Sequence, residues 1–407
     1  MTTLTRRLLI GGIATAPLAR PAIIRAQSTS KPVKLGLLSD MSGPYRDVGG
    51  PGNRLAVELA VQDFGGSVLD RPIEVMQADD QNKPDVSSSL AREWIDAQGV
   101  DVLMDGAASS AGLAVQQVCR EKKRIYLITG PATSEMTGKQ CSPYGIHFNY
   151  DTYALAHGTG DAVTKAGGKS WYFITADYAF GYALEKDTMA AVKAAGGQVL
   201  GAVRAPLGTA DFSSYLVQAQ ASGAKVIGLA NAGTDLQNCV KQASEFGLTQ
   251  SGVKLATLLM QISDVASLGQ KVCTGLNYTD SFYWDMSDKT RAWSKRWSDK
   301  MGGMVPGLLH AGNYCAANHW LKCVKAAGTT DADAVVAKMK ATPINDFYNT
   351  DVKIREDGRV MHVMYLWQVK PPSESKSKYD YCNLVATIKP EDAWRPLNEG
   401  GCPLVKA

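Results

Sequence analysis

The sequence has few of the motifs on which enzymes depend. Its 407 residues include five histidines, and none of them belongs to an H-E-x-x-H zinc motif. It contains no G-x-S-x-G nucleophile motif and no C-x-x-C pair. Gly168-Lys169-Ser170 is similar to the end of a phosphate-binding loop, but Val163 stands where that loop requires its first glycine. We therefore predict a protein that is not an enzyme and needs no metal and no cofactor.

A surplus of charge is missing as well. The chain has 43 basic and 39 acidic residues, a net charge of +4. Arg6, Arg7, Arg20 and Arg25 lie in the first 26 residues, which contain no acid, so the remainder has equal numbers of both signs. Nucleic acid is not an expected partner, because binding it calls for a basic face.

Beyond the N-terminus, no apolar run approaches the length of a membrane-spanning helix. At the N-terminus, Arg6-Arg7 precede an apolar segment over 8–18, which is too short to span a bilayer and contains Pro17; Ala26 offers a small residue for cleavage. We predict that residues 1–26 are an export signal and that the mature protein is soluble and periplasmic. The paired arginines resemble a twin-arginine signal, although many signals of the general secretion route also carry two.

The eight cysteines fit an oxidising compartment and predict at least two disulfides. Spacing does not determine the connectivity, but short-range pairs are favoured. The favoured pairs are Cys119–Cys141, Cys239–Cys273 and Cys382–Cys402. Cys315 and Cys323 lie about 12 Å apart along a predicted helix, too far to bond each other, so their role stays open.

The stretch 100–118 shows how the chain is organised. Val102-Leu103-Met104 is an apolar run typical of a buried parallel strand, small residues follow, and 109–118 can continue as a helix. The same alternation of strand and helix extends from 33 to 128 and begins again at 151, while 352–369 is typical of a β-hairpin. Two such series predict an α/β protein with two lobes, each a mainly parallel sheet flanked by helices.

A helix that begins after a buried strand presents free backbone N–H groups at its start. With the hydroxyls of Ser109 and Ser110 and the helix dipole, these donors suit a carboxylate or another anion. The alternative is an ordinary turn in which one of the serines caps the helix. Other loops that follow strands also carry residues suited to ligand contact, and open α/β sheets place ligands at these ends. The candidate ligand-binding residues are Tyr45, Arg46, Ala108, Ser109, Ser110, Ala132, Thr133, Tyr178, Asn231, Met260 and Tyr283.

The chain resembles the periplasmic binding proteins of the leucine/isoleucine/valine type at four segments that occur in order. These segments are 35–45, 79–85, 129–133 and 177–181. The resemblance covers nearly all of the chain after residue 26. It implies the two-lobed type I fold with three hinge crossings and delivery of a small ligand to the permease of an ABC transporter. We expect a monomer.

The resemblance also implies hinge crossings near 149–151, 280–284 and 343–348. The first lobe then comprises 30–149 plus 283–345, and the second comprises 150–282 plus 346–407. Carried over by motif, Ser109, Ser110, Ala132 and Thr133 hold the ligand's carboxylate, and Tyr45 and Tyr178 form walls.

The chain departs from amino-acid binders at Met260, where they commonly have an acidic residue for the ligand's ammonium. An ammonium buried without a counter-charge costs several kcal/mol, whereas a thioether suits a flat ring. This favours an aromatic or apolar carboxylic acid. A branched-chain amino acid or an amide remains the alternative ligand, and a periplasmic sensor that presents its ligand to a receptor remains the alternative role.

Overall fold

The computed structural model of the protein describes residues 31–406. The predicted export signal, 1–26, lies outside this range. Among the described residues, no helix has the length and apolarity needed to cross a membrane.

Strands and helices alternate through most of the described chain. The strands are β1 (Val33–Ser39), β2 (Ser67–Val68), β3 (Arg71–Asp79), β4 (Val102–Asp105), β5 (Ile125–Ile128), β6 (Gly145–His147), β7 (Ser170–Ala176), β8 (Gln198–Ala205), β9 (Val226–Ala230), β10 (Lys254–Thr257), β11 (Asn277–Asp280), β12 (Met364–Val369) and β13 (Cys382–Ile388). The helices are α1 (Gly50–Phe64), α2 (Pro84–Asp96), α3 (Ser109–Lys122), α4 (Thr152–Leu155), α5 (Asp161–Lys165), α6 (Ala179–Ala194), α7 (Ser213–Ala221), α8 (Gly233–Glu245), α9 (Ile262–Leu268), α10 (Gln270–Cys273), α11 (Asp288–Ser298), α12 (Leu308–Ala327), α13 (Ala332–Ala341) and α14 (Pro390–Ala393). A π-helical turn, Ala156–Gly160, joins α4 to α5.

The first lobe contains a six-stranded sheet in the order β2-β3-β1-β4-β5-β6, parallel except for β2. Its strands β1 and β4 are buried along nearly their whole length, as expected for parallel strands with helices on both faces of the sheet. Trp94 of α2 packs directly over β1 at Gly36, where a Cβ would come within 2.7 Å of the indole. Glycine at this position therefore lets the helix approach the sheet.

The second lobe contains a four-stranded parallel sheet in the order β10-β9-β7-β8. Beside it lies an antiparallel sheet in the order β11-β12-β13. The hydroxyl of Thr257 in β10 donates to the carbonyl of Asn277 in β11 at 2.7 Å, which joins the two sheets. The α/β class with two lobes and mainly parallel sheets is confirmed.

The third crossing between the lobes lies further along the chain than the family pattern implied. Residues 344–360 stay with the first lobe: His147 of β6 pairs with Arg359, and Ile354 pairs with Val360. The chain enters the second lobe only where β12 begins at Met364 and pairs with β11. The difference arises because these short pairings depend on a strand distant in sequence, which local sequence does not reveal.

A buried arginine fastens the first and third crossings together. The guanidinium of Arg359 donates to the carbonyls of Phe148 and Tyr150 and lies 3.6 Å from the carboxylate of Asp151. Its Cζ also lies 4.2 Å from the ring centre of Trp394. These contacts satisfy a cation that is fully buried, which would otherwise be costly.

The C-terminal residues return to the first lobe after β13, although they were expected in the second. Arg395 donates to the carbonyl of Ser134 at 2.7 Å, and Cys402 forms a disulfide with Cys141. The segment from Arg395 to Cys402, here called the tail strap, is therefore bonded covalently to the first lobe.

This disulfide corrects the expected pairings. Cys141 and Cys402 bond each other, so Cys119–Cys141 and Cys382–Cys402 were wrong. The third pair, Cys239–Cys273, is also not formed. The six buried free thiols of the described chain are Cys119, Cys239, Cys273, Cys315, Cys323 and Cys382. Residues 31–406 thus contain one disulfide where at least two were expected. Its pairing was not predicted because a bond across 261 positions leaves no trace in local spacing.

Candidate functional site

The loops that follow the parallel strands of both lobes meet at one cleft, as expected for the carboxyl ends of strands in open α/β sheets. A small cavity lies in this cleft, here called the inner cavity. It is lined by Tyr45, Val48, Ala107, Gly130, Ala132, Tyr150, Tyr178, Phe180, Ala232, Gly233, Leu259, Gln261, Asp264 and Leu309. Most of these side chains are apolar or aromatic, and no lysine or arginine is among them.

Two tyrosines connect the lobes across the cavity. The hydroxyls of Tyr45 in the first lobe and Tyr178 in the second lie 2.5 Å apart. Burial raises the pKa of both hydroxyls, so both stay neutral and can share this hydrogen bond. With the lobes in this position the inner cavity holds about 20 Å³, room for about one water molecule. A ligand therefore requires the lobes to separate or the tyrosines to move.

The loop that carries Tyr45 is held by a buried carboxylate. Asp40 accepts hydrogen bonds from the backbone N–H of Gly43 at 2.5 Å and of Tyr45 at 2.8 Å, and from the amide of Asn82 at 2.6 Å. These bonds fix the path of the loop at the end of β1. Tyr45 is thereby positioned by the first lobe before the lobes meet.

A direct backbone contact between the lobes adjoins this pair of tyrosines. The N–H of Thr234 in α8 donates to the carbonyl of Pro44 at 3.1 Å. Gly233 beside it has φ +58°, and a Cβ built there would come within 2.3 Å of the same carbonyl oxygen. Glycine at 233 thus lets the two backbones touch.

The residues expected to hold a carboxylate form one cluster, but Ser109 already has protein partners. Its hydroxyl oxygen accepts from the N–H groups of Ala132 and Thr133 at 3.2 and 3.1 Å. The hydroxyl of Thr133 accepts from the N–H of Glu135 at 3.4 Å. Ala132 lines the inner cavity, whereas Ser109, Ser110, Thr133 and Ala108 do not. Ser109 therefore connects the start of α3 to the loop after β5.

The remaining candidates lie away from the cavity wall. Arg46 is exposed and lies 3.6 Å from Asp47. Asn231 is buried beside Ala232, and neither polar atom of its side chain has a hydrogen-bond partner. Met260 is fully buried in the core of the second lobe.

Tyr283 likewise packs inside the second lobe. Its ring stacks on Trp367 with centroids 4.7 Å apart. Its hydroxyl donates to the carbonyl of Tyr379 and accepts from the N–H of Tyr381, each at 3.0 Å. This hydroxyl thus both donates and accepts a hydrogen bond within the protein.

Asp264 lines the cavity, although it is not among the ligand-binding residues predicted from the sequence. Its carboxylate accepts from the amide of Gln237 and from the N–H of Gln261, both at 2.8 Å. Burial raises its pKa to about 6. The available signal was its place in the first turn of α9, where an acid can accept the N–H of the residue that precedes the helix.

Three comparisons relate the chain to proteins of known type. The profile of the periplasmic binding protein family matches residues 32–378. A periplasmic binding protein from Burkholderia mallei is 50% identical, with a TM-score of 0.90 over 92% of this chain and 99% of that one. A branched-chain amino acid ABC transporter periplasmic ligand-binding protein from Burkholderia xenovorans is 40% identical, with a TM-score of 0.81 over 91% and 99%.

A more distant structure shares the fold alone. It is an ABC-transporter solute-binding protein from R. palustris in complex with benzoate, 20% identical, with a TM-score of 0.79 over 88% of this chain and 97% of that one. Because the family profile spans most of the chain, the protein belongs to the periplasmic binding protein family, whose members bind solutes for ABC transporters and are not enzymes.

Proposed function

We propose that the protein captures a small carboxylic acid with an aromatic or apolar body between its lobes and delivers it to an ABC importer. The observation that carries this proposal is the composition of the inner cavity. Four rings line it, those of Tyr45, Tyr150, Tyr178 and Phe180, together with several aliphatic side chains. Such a wall suits a flat or branched apolar body.

Backbone N–H groups at helix N-termini are available to bind the anionic end of the ligand. α3, α6 and α8 all begin beside the cavity, next to the lining residues Ala107, Tyr178 and Ala232. Helix N-termini favour an anion by about 0.3–1 kcal/mol each, and by up to about 2 kcal/mol when partly buried. Three of them replace the arginine or lysine that the cavity wall lacks.

The neighbours are consistent with a carboxylate. The R. palustris protein of the same fold binds benzoate. The Burkholderia xenovorans protein, which is more similar to this chain, is named as a branched-chain amino acid ABC transporter protein. Both ligand types are carboxylates, so they share the end that the helix N-termini would hold. They differ in whether an ammonium accompanies it.

A branched-chain amino acid is the second candidate, and Asp264 favours it. Met260 does not line the cavity, whereas Asp264 does. Its carboxylate could meet an ammonium, whose burial without a counter-charge costs several kcal/mol. For an aromatic acid, the same carboxylate would repel the ligand unless it were protonated.

Titration calorimetry on the parent protein and on Asp264→Asn separates the two candidates. Benzoate, cinnamate, leucine, valine and urea are the ligands. An aromatic acid should bind the parent more tightly as the pH falls through about 6, because Asp264 becomes neutral, and the variant should bind it at least as tightly. An amino acid should bind more tightly as the pH rises through the same value, and the variant should lose about 10- to 100-fold in affinity.

Asp80→Asn is the matched control. Burial raises the pKa of Asp80 to about 6, as it does that of Asp264, but Asp80 does not line the cavity. It should change both affinities equally little. Micromolar binding of an amino acid, with no heat from any aromatic acid, would overturn the proposal in favour of the second candidate.

The proposal places the mature protein in the periplasm as a monomer, after removal of residues 1–26. N-terminal sequencing of the exported protein tests the cleavage, and retention of Met1 would contradict it. Export by the twin-arginine route predicts loss of the periplasmic protein when that route is blocked. A sensor role would show instead as ligand-dependent binding to a receptor and none to a permease.

A further inference from the structure

A second and larger cavity lies between the same two lobes, here called the outer groove. The first lobe lines it with Trp297, Met301, Met304 and Val305, and the second with Ile262 and Ser263. Its volume is about 370 Å³. Cavities that hold small molecules in proteins usually measure about 300–1,000 Å³, so the outer groove has that size and the inner cavity does not.

The two cavities are adjacent. Three pairs of consecutive residues divide between them, the first member lining the inner cavity and the second the outer groove: Val48–Gly49, Gln261–Ile262 and Leu309–His310. At three places, therefore, neighbouring residues of one chain segment face the two cavities. A ligand in the inner cavity needs to pass only these residues to reach the outer groove.

The lining of the outer groove is largely apolar and adaptable. Trp297 and His310 pack with ring centroids 4.5 Å apart, and the indole N–H donates to the carbonyl of Gly52. Burial lowers the pKa of His310 to about 4, so its ring is neutral. Met301 and Met304 contribute flexible thioethers that fit varied shapes and contact aromatic rings favourably.

Charge in the groove is balanced, and one polar group has no partner. Arg46 and Asp47 lie at the groove and 3.6 Å from each other. The hydroxyl of Ser263 is buried and makes no hydrogen bond within the protein, which is uncommon for a buried polar atom. The groove therefore suits an uncharged, largely apolar group, and the Ser263 hydroxyl has no protein partner that a polar atom of this group would have to displace.

We propose that the outer groove binds the distal, uncharged part of the ligand while the carboxylate stays in the inner cavity. This inference rests on the proposed function and narrows it: the ligand is an extended acid, longer than benzoate or a single branched-chain amino acid. An acid with a second ring or a chain beyond the first ring has this form. Met301 and Met304 contact its apolar part, and the Ser263 hydroxyl meets its polar atom.

Calorimetry with benzoate and 4-(benzyloxy)benzoate tests the inference on the parent and on two variants. The longer acid should bind the parent at least about tenfold more tightly, as expected when added apolar surface is buried. Met304→Ala should remove most of this advantage and leave benzoate binding unchanged. Met304 is 48% exposed, so its loss should spare the fold.

Leu200→Ala is the matched control, because Leu200 is a similarly exposed apolar residue, 44%, that lies in β8 and does not line the groove. It should leave both affinities unchanged. Equal affinity for the short and the long acid, or an equal loss of both in Met304→Ala, would overturn the extended ligand and keep the proposed function. Failure of both acids to bind, with binding of an amino acid, would overturn the proposed function itself.

Discussion

Gly233→Ala should prevent full closure of the lobes while leaving each lobe folded. The new Cβ would lie 2.3 Å from the carbonyl oxygen of Pro44 and 2.9 Å from the ring of Tyr45. A backbone oxygen cannot swing aside as a side chain does. Contact at ordinary distance therefore requires the lobes to move apart by about 1 Å, enough to lose a large part of the dispersion attraction between them.

The magnitude follows from the contacts that this movement breaks. The hydrogen bond from Thr234 to Pro44 and the one between Tyr45 and Tyr178 both cross the cleft. Each contributes about 0.5–1.5 kcal/mol, so the closed state should lose about 1–3 kcal/mol in total. If ligand binds only the closed state, its affinity should fall by about 5- to 150-fold.

The control for this variant is Gly223→Ala. Gly223 also has positive φ, +72°, but no atom lies within 4 Å of the built Cβ. Both variants carry the backbone strain of alanine in the left-handed region, about 1–2 kcal/mol, so both should unfold at slightly lower urea concentration. Only Gly233→Ala should bind ligand weakly in calorimetry and appear more open in small-angle X-ray scattering. Equal affinities in the two variants would refute the reasoning.

Two further predictions concern stability. Cys141→Ser should lower the free energy of unfolding by about 2–5 kcal/mol, the usual range for loss of a disulfide. In the parent, alkylation after denaturation without reductant should label the six free thiols. Labelling of Cys141 or Cys402 would contradict the bond between them. Burial raises the pKa of Asp105 to about 7, so the folded state holds its proton while the unfolded chain releases it near pH 4. Its share of the stability should fall by up to about 1.4 kcal/mol per pH unit as the pH rises from about 4 to 7. Urea unfolding of Asp105→Asn should lack this decline, and an unchanged pH profile would argue against a buried neutral carboxyl.

The α/β lobes could be predicted because their signals are local. The apolar run of β4 and the helix start at Ser109 lie next to each other in the sequence, and they do so in the fold. Strand ends could likewise be assigned to the cleft, and Tyr45 and Tyr178 lie on its wall. Their part in ligand binding stays a prediction.

Features that depend on distant partners could not be predicted in the same way. Met260 and Asp264 are four positions apart, and only the turn into α9 determines that the acid, not the thioether, lines the cavity. The pairing of His147 with Arg359 and the bond from Cys141 to Cys402 each join residues more than 200 positions apart. Apolar periodicity carries no information about such pairings.

The tail strap has a practical consequence for measuring lobe motion. Leu384 lies in β13 and moves with the second lobe, whereas Leu404, just beyond the disulfide at Cys402, is held to the first. Both side chains are exposed and available for labelling. A pair of dyes or spin labels at these positions, close in sequence but attached to opposite lobes, would act as a ruler for closure. A label at 404 alone would report on the first lobe, even though the strand that precedes the strap belongs to the second.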